Sequence, residues 1–509
     1  MSEQVSYDKI PERWTTRIRK PSRKGSMADV PQDILSEIAS LERLFTVDTE
    51  KLKEITEQFI DELHQGLKGE GNIPMNPTWV MNFPDGEETG SFLALDMGGT
   101  NLRVCEITLT DEKGEFDIVQ SKYRMPEELK HGTAEELWDY TADCIEQFIE
   151  YHHEDERDNL DTIPLGFTFS YPATQEHIDN GVLQRWTKGW AVEGVEGEDV
   201  VPQLEKALKE RNLPVTVAAL INDTTGTLIA SAYTDQSMRI GCIFGTGHNG
   251  AYLETCGNIP KLKHMNLPDD MHMVINCEYG AFNSKGQHPV LPKTQYDVMI
   301  DETSPRPGQQ AYEKMTSGLY LGEIFRLAML DLHDNKKILL ADQDLKAFRT
   351  PFCLDASFLS FIEEDPFENL SETQDMLNDK YGIKAARPEL ELLRRLAELI
   401  GTRSARLCAC GIAAICKMKG FDSCHVGADG SVFNKYPHFK QRNAKALREI
   451  LDWQKGKKDP VVVSSSEDGS GVGAALIAAL TVKRIKAGNK YGIQDVSKFN
   501  VTSDSKPDP

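Results

Sequence analysis

The stretch LALDMGGTNLRV, residues 93–104, shares one pattern with a second stretch, RIGCIFGTGHNG, residues 239–250. Each is a short apolar run followed by a glycine-rich turn and then by more strand-like sequence. Short apolar runs bounded by glycine are typical of buried strands. Glycine lets the chain turn tightly beside a ligand, and successive main-chain N–H groups can converge on an anion. Two such turns predict two strand–loop units that grip one polyphosphate.

Length and charge limit the class of protein. The chain has 509 residues, more than the roughly 250–300 that one hydrophobic core supports, so at least two lobes are expected. A net charge of −23 at pH 7 disfavours nonspecific binding to nucleic acid or anionic lipid. No apolar run is as long as a membrane span, no apolar signal segment follows the N-terminus, and the cysteines are dispersed. We expect a cytoplasmic protein that binds neither nucleic acid nor membrane directly.

The glycine turns differ from two common phosphate motifs. Gly245-x-Gly247-x-x-Gly250 has the spacing of a dinucleotide fingerprint, but that motif must open a helix, and here NGAYLET continues as extended sequence. The turn at Gly98 and Gly99 likewise runs into a strand, and no P-loop sequence occurs. We therefore favour β-hairpin loops that bind phosphate over ordinary hairpin turns. We also favour them over the dinucleotide-binding loop of a nicotinamide oxidoreductase. A third glycine-rich turn, DGSGVG at 468–473, precedes a helical segment.

The apolar run VTVAALI, residues 215–221, ends in Asn222 and Asp223. Polar side chains at the end of a buried strand lie at a sheet edge, where α/β proteins bind ligands. Asp223 suits the base that accepts a hydroxyl proton during phosphoryl transfer. It equally suits an N-cap for the following segment TTGTLIASAY, and the residues alone leave both interpretations open.

A polyol ligand would need several paired donors and acceptors, because each buried hydroxyl group must be hydrogen-bonded. Most of the candidate partners follow strand-like segments, and each taken singly is also compatible with an ordinary surface or turn residue. These candidates are Ser170, Thr187, Lys188, Asn222, Asn249, Glu278 and Glu313.

Four cysteines close to His425 raise the question of a zinc site. They lack C-x-x-C spacing, and the first three lie in an apolar helical run. We expect buried core cysteines at Cys408, Cys410, Cys416 and Cys424.

Several long strings together resemble one family, the hexokinases of the actin-like ATPase superfamily, and fungal hexokinases in particular. The strings are LGFTFSYPATQ, LQRWTKG, ALINDTTGTL, INCEYGAF, SPRPGQQAYEKM and EDGSGVGAA. The similarity extends from Ser22 to Ile493. It implies an α/β fold of two lobes with ribonuclease-H-like cores that close over a sugar in a central cleft.

The domain organisation that we expect combines this resemblance with the composition. A flexible basic tail at 1–30 is followed by N-terminal helices at 31–84 that pack on the large lobe. The small lobe comprises 85–222, and the large lobe comprises 223–495, with a last helix that could return to the small lobe. A disordered tail follows at 496–509.

The resemblance also implies roles for individual residues. Asp223 would take the proton from the 6-hydroxyl group of the hexose, and Lys188 and Arg103 would act beside it. The sugar would be held by Ser170, Thr187, Lys188, Asn222, Asp223, Asn249, Glu278 and Glu313. Asp96 would act on Mg²⁺ through water. The nucleotide would be bound by Asp96, Gly98, Gly99, Thr100, Asn101, Lys122, Gly245, Thr246, Gly247, Gly318, Gly469, Ser470, Gly471, Gly473 and Ala474.

The activity implied by the resemblance is phosphorylation of glucose, and of fructose and mannose, by ATP with Mg²⁺, the first step of glycolysis. The alternative is a glucose-sensing regulatory protein with little or no catalysis. A monomer or homodimer is expected, controlled by phosphorylation at Ser26, which follows two basic residues. Two features depart from similar sequences: His248 stands where they carry a small apolar residue, and the segment FNSKGQHPVLP, 282–292, is longer and differently charged.

Overall fold

The computed structural model describes residues 30–98, 101–110, 112–153, 162–186, 190–284, 289–454, 456–466 and 468–499. Several of the residues singled out above lie outside these ranges, namely Ser26, Gly99, Thr100, Thr187, Lys188 and residues 285–288 of the long segment.

The described residues form an α/β structure. Its strands are β1 (Asn76–Pro77), β2 (Gly90–Met97), β3 (Asn101–Leu109), β4 (Phe116–Arg124), β5 (Ile163–Phe169), β6 (Ala173–Thr174), β7 (Val182–Leu183), β8 (Val215–Ile221), β9 (Met238–Phe244), β10 (His248–Thr255), β11 (His272–Asn276), β12 (Cys424–Asp429) and β13 (Val461–Ser465). Its α-helices are α1 (Gln32–Phe45), α2 (Thr49–Lys68), α3 (Ala134–His152), α4 (Val200–Glu210), α5 (Asp223–Thr234), α6 (Gln295–Thr303), α7 (Ala311–Thr316), α8 (Gly318–Asp334), α9 (Ala356–Glu364), α10 (Ser371–Tyr381), α11 (Arg387–Lys419), α12 (Ser431–Lys435), α13 (Phe439–Ile450) and α14 (Gly469–Lys486).

The small lobe is built on a sheet in the order β4-β3-β2-β5-β8. The first three strands form an antiparallel meander, and β5 and β8 continue parallel to β2. Side chains alternate along β2, as expected for a strand covered on both faces. Leu93 and Leu95 face the core beneath α3 and α4, and Ala94 faces the other side.

The large lobe repeats this arrangement. Its sheet has the order β11-β10-β9-β12-β13, with the short β1 added beside β11. Strands β9, β10 and β11 are antiparallel, and β12 runs parallel to β9 and β13. Three antiparallel strands followed by two parallel strands therefore occur twice, which confirms the prediction of two related α/β halves.

Helices α5 and α14 cross between the two sheets. Helix α5 packs on β9, whereas α14 packs on β2, β5 and β8, so α14 returns to the small lobe. A Cβ atom on Gly473 would lie 2.2 Å from the carbonyl oxygen of Gly226, and one on Gly469 would lie 2.4 Å from Thr227 Oγ1. Gly473 and its neighbour Ala474 are buried in this contact. Helix packing therefore accounts for their small size, and their contact with a nucleotide stays a prediction.

Helix α11 is the central helix of the large lobe. It is long and apolar enough to cross a membrane, but 89% of its most apolar window is buried inside the protein. Cys408, Cys410 and Cys416 lie on it, and all three are buried. Within the described residues, no group of three or more His, Cys, Asp and Glu side chains could hold a metal ion. The core interpretation of these cysteines agrees with this arrangement.

The two ends of the described chain are tied to different lobes. Helices α1 and α2 pack on α11 of the large lobe. At the other end, Val496–Phe499 forms a 3-10 turn, and Lys498 Nζ pairs with a carboxylate oxygen of Glu205 at 2.8 Å. The tail predicted to be disordered from residue 496 is therefore ordered as far as Phe499, because this ion pair holds it on the small lobe.

Candidate active site

The first glycine turn joins β2 to β3 in an antiparallel pair, so the hairpin prediction is confirmed here. The N–H of Gly98 donates to the carbonyl oxygen of Asn101 at 3.2 Å. The Tyr171 hydroxyl group donates to the carbonyl oxygen of Gly98 at 3.2 Å. Burial raises the pKa of Tyr171, so this hydroxyl group remains a donor. The turn is thus anchored from the strand end of β5.

An arginine connects this turn to the start of α14. Arg103 Nη2 donates to Asp468 Oδ1 at 2.5 Å, to Ser470 Oγ at 2.9 Å and to Asp96 Oδ2 at 3.3 Å. Ser470 Oγ in turn donates to Asp96 Oδ2 at 2.7 Å. Lys122 lies directly across from Arg103 on β4 and is exposed. The arrangement holds one guanidinium group rigidly beside a partly exposed carboxylate.

The second glycine turn joins β9 to β10, again as an antiparallel hairpin. The N–H of Gly245 donates to the carbonyl oxygen of Gly247 at 3.0 Å, and the N–H of Gly318 donates to the carbonyl oxygen of Gly245 at 2.8 Å. Gly430, which precedes α12, has φ 110°, and a Cβ atom there would lie 2.5 Å from the carbonyl oxygen of Phe244. The turn is therefore packed between the starts of α8 and α12, with Thr246 exposed at its tip.

A network of amides and a carboxylate lies at the ends of β10 and β11. Asn249 Nδ2 donates to Asn276 Oδ1 at 2.7 Å and to Glu278 Oε1 at 3.2 Å, and Asn276 Nδ2 donates to Glu278 Oε1 at 2.9 Å. Asn249 Oδ1 accepts from the N–H of Glu278 at 2.9 Å. Glu278 has φ 55°, a left-handed conformation that places its side chain back over Asn249. These three residues are preorganised to bind a ligand rich in hydroxyl groups.

Asn222 and Asp223 lie together at the N-terminus of α5. The N-cap of α5 is Asn222, whose side-chain oxygen accepts from the N–H of Thr224 at 2.9 Å. Asp223 is the first residue of α5, and its Oδ1 also accepts from that N–H at 2.8 Å. The amide of Asn222 and the carboxylate of Asp223 therefore both accept from the first-turn N–H, and Asp223 Oδ1 also accepts from the Thr224 hydroxyl group at 3.3 Å.

A cavity of about 790 Å³ lies between the lobes. Asn222, Asn276 and Glu278 line it together with Gln175 of the small lobe and Gln310 of the large lobe. The amide network of β10 and β11 and the residue that follows β8, Asn222, thus border one cleft.

Glu313, on α7, contacts the second glycine turn. Its Oε2 accepts from the main-chain N–H of His248 at 3.0 Å. His248 itself is buried beneath the turn, so its side chain points into the large lobe and not toward the cleft. The unusual residue in this turn is therefore a core residue.

Asn276 and Gly430 are among the residues of this site that were not predicted from the sequence. Asn276 ends the apolar run HMVIN, and Gly430 follows the strand of β12 in the dipeptide Asp-Gly. Both carried the signal that identified Asn222, a polar or turn residue directly after a buried strand. Ser170, which was predicted, follows β5 between Phe169 and Tyr171, two residues that line the cavity.

Two sheets with the same strand order, each containing a glycine hairpin between antiparallel strands, define the class: a two-lobed actin-like ATPase fold. Models of the family described as hexokinase match residues 37–233 and 239–480. A hexokinase of Emericella nidulans is 68% identical over 94% of this chain and 97% of its own length. Hexokinase-1 of Saccharomyces cerevisiae is 52% identical over 93% of this chain and 98% of its own.

A solved structure gives the same result. The hexokinase of Schistosoma mansoni complexed with glucose superposes with a TM-score of 0.78, is 34% identical, and covers 88% of this chain and 99% of its own. The chain belongs to the hexokinase family, whose members phosphorylate sugars. No feature of these comparisons favours the alternative of a sugar sensor without turnover.

Proposed function

We propose that this chain transfers the γ-phosphoryl group of ATP to the 6-hydroxyl group of hexoses, including glucose, fructose and mannose, as the first step of glycolysis. The observation that carries the proposal is the position of Asn222, Asn276 and Glu278 on the cavity between the two lobes. A hexose offers a ring of hydroxyl groups, and this cavity offers paired amide and carboxylate partners for them.

Asp223 is the proton acceptor in this proposal. The 6-hydroxyl group must lose its proton as the phosphoryl group arrives, and a carboxylate at the first turn of a helix is well placed to receive it. Asn249, Asn276 and Glu278 orient the sugar, and Glu313 lies beside them at the second turn. Ser170, Thr187 and Lys188 are proposed to complete the sugar site from the small lobe.

The phosphate groups would lie between the two turns. Arg103 is held there by Asp96 and Asp468, which keeps its charge in place without rearrangement. Asp96 is a hard oxygen ligand with a side chain that is 22% exposed, which fits Mg²⁺ bound through water. When bound, Mg²⁺ neutralises charge on the transferred phosphoryl group.

The test is a coupled assay with glucose, fructose or mannose, ATP and Mg²⁺, run on the unmodified chain and on Asp223→Asn. We expect turnover by the unmodified chain and a loss of kcat of about 10²–10⁴-fold in the variant, with glucose affinity retained. The matched control is Asp235→Asn, at the other end of α5, where the carboxylate contacts His425. Near-normal turnover by Asp223→Asn would remove Asp223 as the base.

We further propose that the enzyme acts in the cytoplasm, binds neither nucleic acid nor membrane directly, and exists as a monomer or homodimer controlled by phosphorylation at Ser26. The net charge of −23 and the basic residues before Ser26 support this proposal. Sedimentation of Ser26→Glu and Ser26→Ala tests the last point, since equal behaviour of the two variants would contradict it.

A further inference from the structure

His248 is the first residue of β10 and follows directly on the second glycine turn. Only 2% of its surface is exposed. Its ring centroid lies 4.8 Å from that of Tyr312, 5.0 Å from Phe244 and 5.1 Å from Tyr279. Burial among these rings lowers the pKa of His248 to about 3, so the imidazole is neutral. A neutral imidazole in an aromatic core raises the question of what its polar atoms do.

One imidazole nitrogen is bound and the other is not. His248 Nδ1 lies 2.8 Å from Thr316 Oγ1, and Thr316 Oγ1 donates its single proton to the carbonyl oxygen of Tyr312 at 2.8 Å. Thr316 can therefore only accept from His248, which assigns the proton to Nδ1. Nε2 is then a lone-pair acceptor, and it has no hydrogen-bond partner in the described part of the chain. A buried unpaired acceptor is unfavourable, so an apolar side chain would be the more stable choice at 248.

His248 also contacts the same helix through its main chain. Its N–H donates to Glu313 Oε2 at 3.0 Å, and both Glu313 and Thr316 lie on α7. Gly247, just before it, leaves room for this contact, because a Cβ atom there would lie 3.0 Å from Glu313 Oε2. The end of the glycine turn is thus fastened to α7 at two residues of that helix, Glu313 and Thr316.

We propose that His248 is a positioning residue that couples the nucleotide-side glycine turn to the sugar-side carboxylate Glu313, an inference that rests on the function proposed above. A sugar that orders Glu313 would order the N–H of His248 and with it the turn at Gly245–Gly247. A nucleotide that orders the turn would in the same way order Glu313, since coupling between two sites is reciprocal. The bond to Thr316 keeps the turn and the helix from sliding apart.

Four variants distinguish the hydrogen bond between His248 and Thr316 from the packing of the His248 side chain. His248→Val removes the side-chain donor and retains the main-chain N–H. His248→Asn keeps a side-chain donor of similar reach. Thr316→Val removes the acceptor from the helix side. Cys408→Ala is the matched packing control, because Cys408 lies on α11, outside the turn and α7, and its Sγ atom makes only a weak sulfur contact with His248 Nδ1 at 3.8 Å.

The experiment measures the dissociation constant of glucose by calorimetry, with and without the non-hydrolysable ATP analogue adenylyl imidodiphosphate and Mg²⁺. The ratio of the two constants is the coupling between the sites. We expect His248→Val and Thr316→Val to reduce this ratio by about fivefold or more, and His248→Asn and Cys408→Ala to keep most of it. Steady-state assays should show KM for glucose rising at saturating ATP while kcat changes little.

An unchanged ratio in both His248→Val and Thr316→Val would overturn the inference. It would also be overturned if His248→Asn and Cys408→Ala reduced the ratio as much as the two valine variants do. If one variant fails to fold, the other side of the bond still provides the test. Failure of the proposed function is distinguishable, because then the unmodified chain would neither bind glucose nor turn it over.

Discussion

Arg103 and Asp468 join two distant parts of the chain: Nη2 of Arg103 donates to Asp468 Oδ1 at 2.5 Å across 365 residues. Arg103 lies on β3 after the first glycine turn, and Asp468 precedes α14. The side chains of both residues are about a fifth exposed, so the pair lies at the edge of the cleft and not in the core. This contact ties the meander of the small lobe to the last helix at the place where phosphate is expected.

Replacing Arg103 with Met should lower kcat/KM for ATP by about 10²–10³-fold, because it removes a preorganised cation from the transferred phosphoryl group. Steady-state assays at saturating glucose measure this effect. The control is Arg211→Met, which removes a guanidinium group held by Asp139 and Glu146 on the small lobe. A similar loss in both variants would show that Arg103 acts through stability alone.

Replacing Asn276 with Ala should raise KM for glucose by about tenfold or more. The variant removes a hydrogen-bond partner of Asn249 and of Glu278, and a buried polar group left without its partner costs about 1–3 kcal/mol. Asn258→Ala is the comparison, because Asn258 also bonds a glutamate of the large lobe, Glu254, at 3.0 Å. If KM is unchanged in Asn276→Ala, the amide network does not bind the sugar.

Replacing Arg403 with Met should lower the free energy of unfolding by about 3–5 kcal/mol, because it leaves the carboxylate of Asp297 buried without its partner. The side chains of this pair are 1% and 2% exposed, and the two bonds measure 2.7 and 2.8 Å. Urea unfolding followed by circular dichroism measures the change.

The matched surface pair is Arg349 and Asp334, whose side chains are 48% and 39% exposed. Arg349→Met should cost only about 0–1 kcal/mol, because water screens that pair. Equal losses in the two arginine variants would contradict the distinction between buried and exposed ion pairs.

The burial of His248 predicts a pH dependence of stability. Its pKa is lowered from 6.5 to about 3 in the folded chain, so between these values the unfolded chain binds one more proton. The free energy of unfolding should therefore fall as the pH is lowered below 6.5, by about 1.4 kcal/mol per pH unit at most from this residue. The contribution is present above pH 6.5 and lost as the pH approaches 3.

Urea unfolding at several pH values isolates this effect as the difference between the unmodified chain and His248→Asn, which does not titrate. Cys408→Ala should keep the slope of the unmodified chain, since it leaves the imidazole in place. A difference that stays constant from pH 7 to pH 4 would show that His248 binds its proton at the same pH in the folded and unfolded chains, which would contradict the lowered pKa.

Much of the fold could be predicted from local patterns. The alternating runs at 93–104 and 239–250 identified β2, β3, β9 and β10, and the extended sequence after each glycine turn predicted hairpins in place of helix-opening loops. These predictions succeeded because strand alternation and turn chemistry are properties of a few neighbouring residues.

The site was predicted less completely for a physical reason. Asn276 bonds Asn249 across two antiparallel strands, and Gly430 touches Phe244 from a separate part of the chain. Neither contact is visible in local sequence, because it depends on which strands become neighbours. The same limit explains Gly473, whose small size serves the crossing of α5 and α14.

The sequence by itself determined the two strand–glycine units, the buried strand that ends at Asn222 and Asp223, and the resemblance to hexokinases. All of these reside in contiguous residues. Only the tertiary structure decided that Asn222 caps α5, that Asp468 pairs with Arg103, and that His248 points into the core and fastens its turn to α7. Such choices depend on the packing of two sheets and the helices between them, where burial and distance select one partner among many with suitable chemistry.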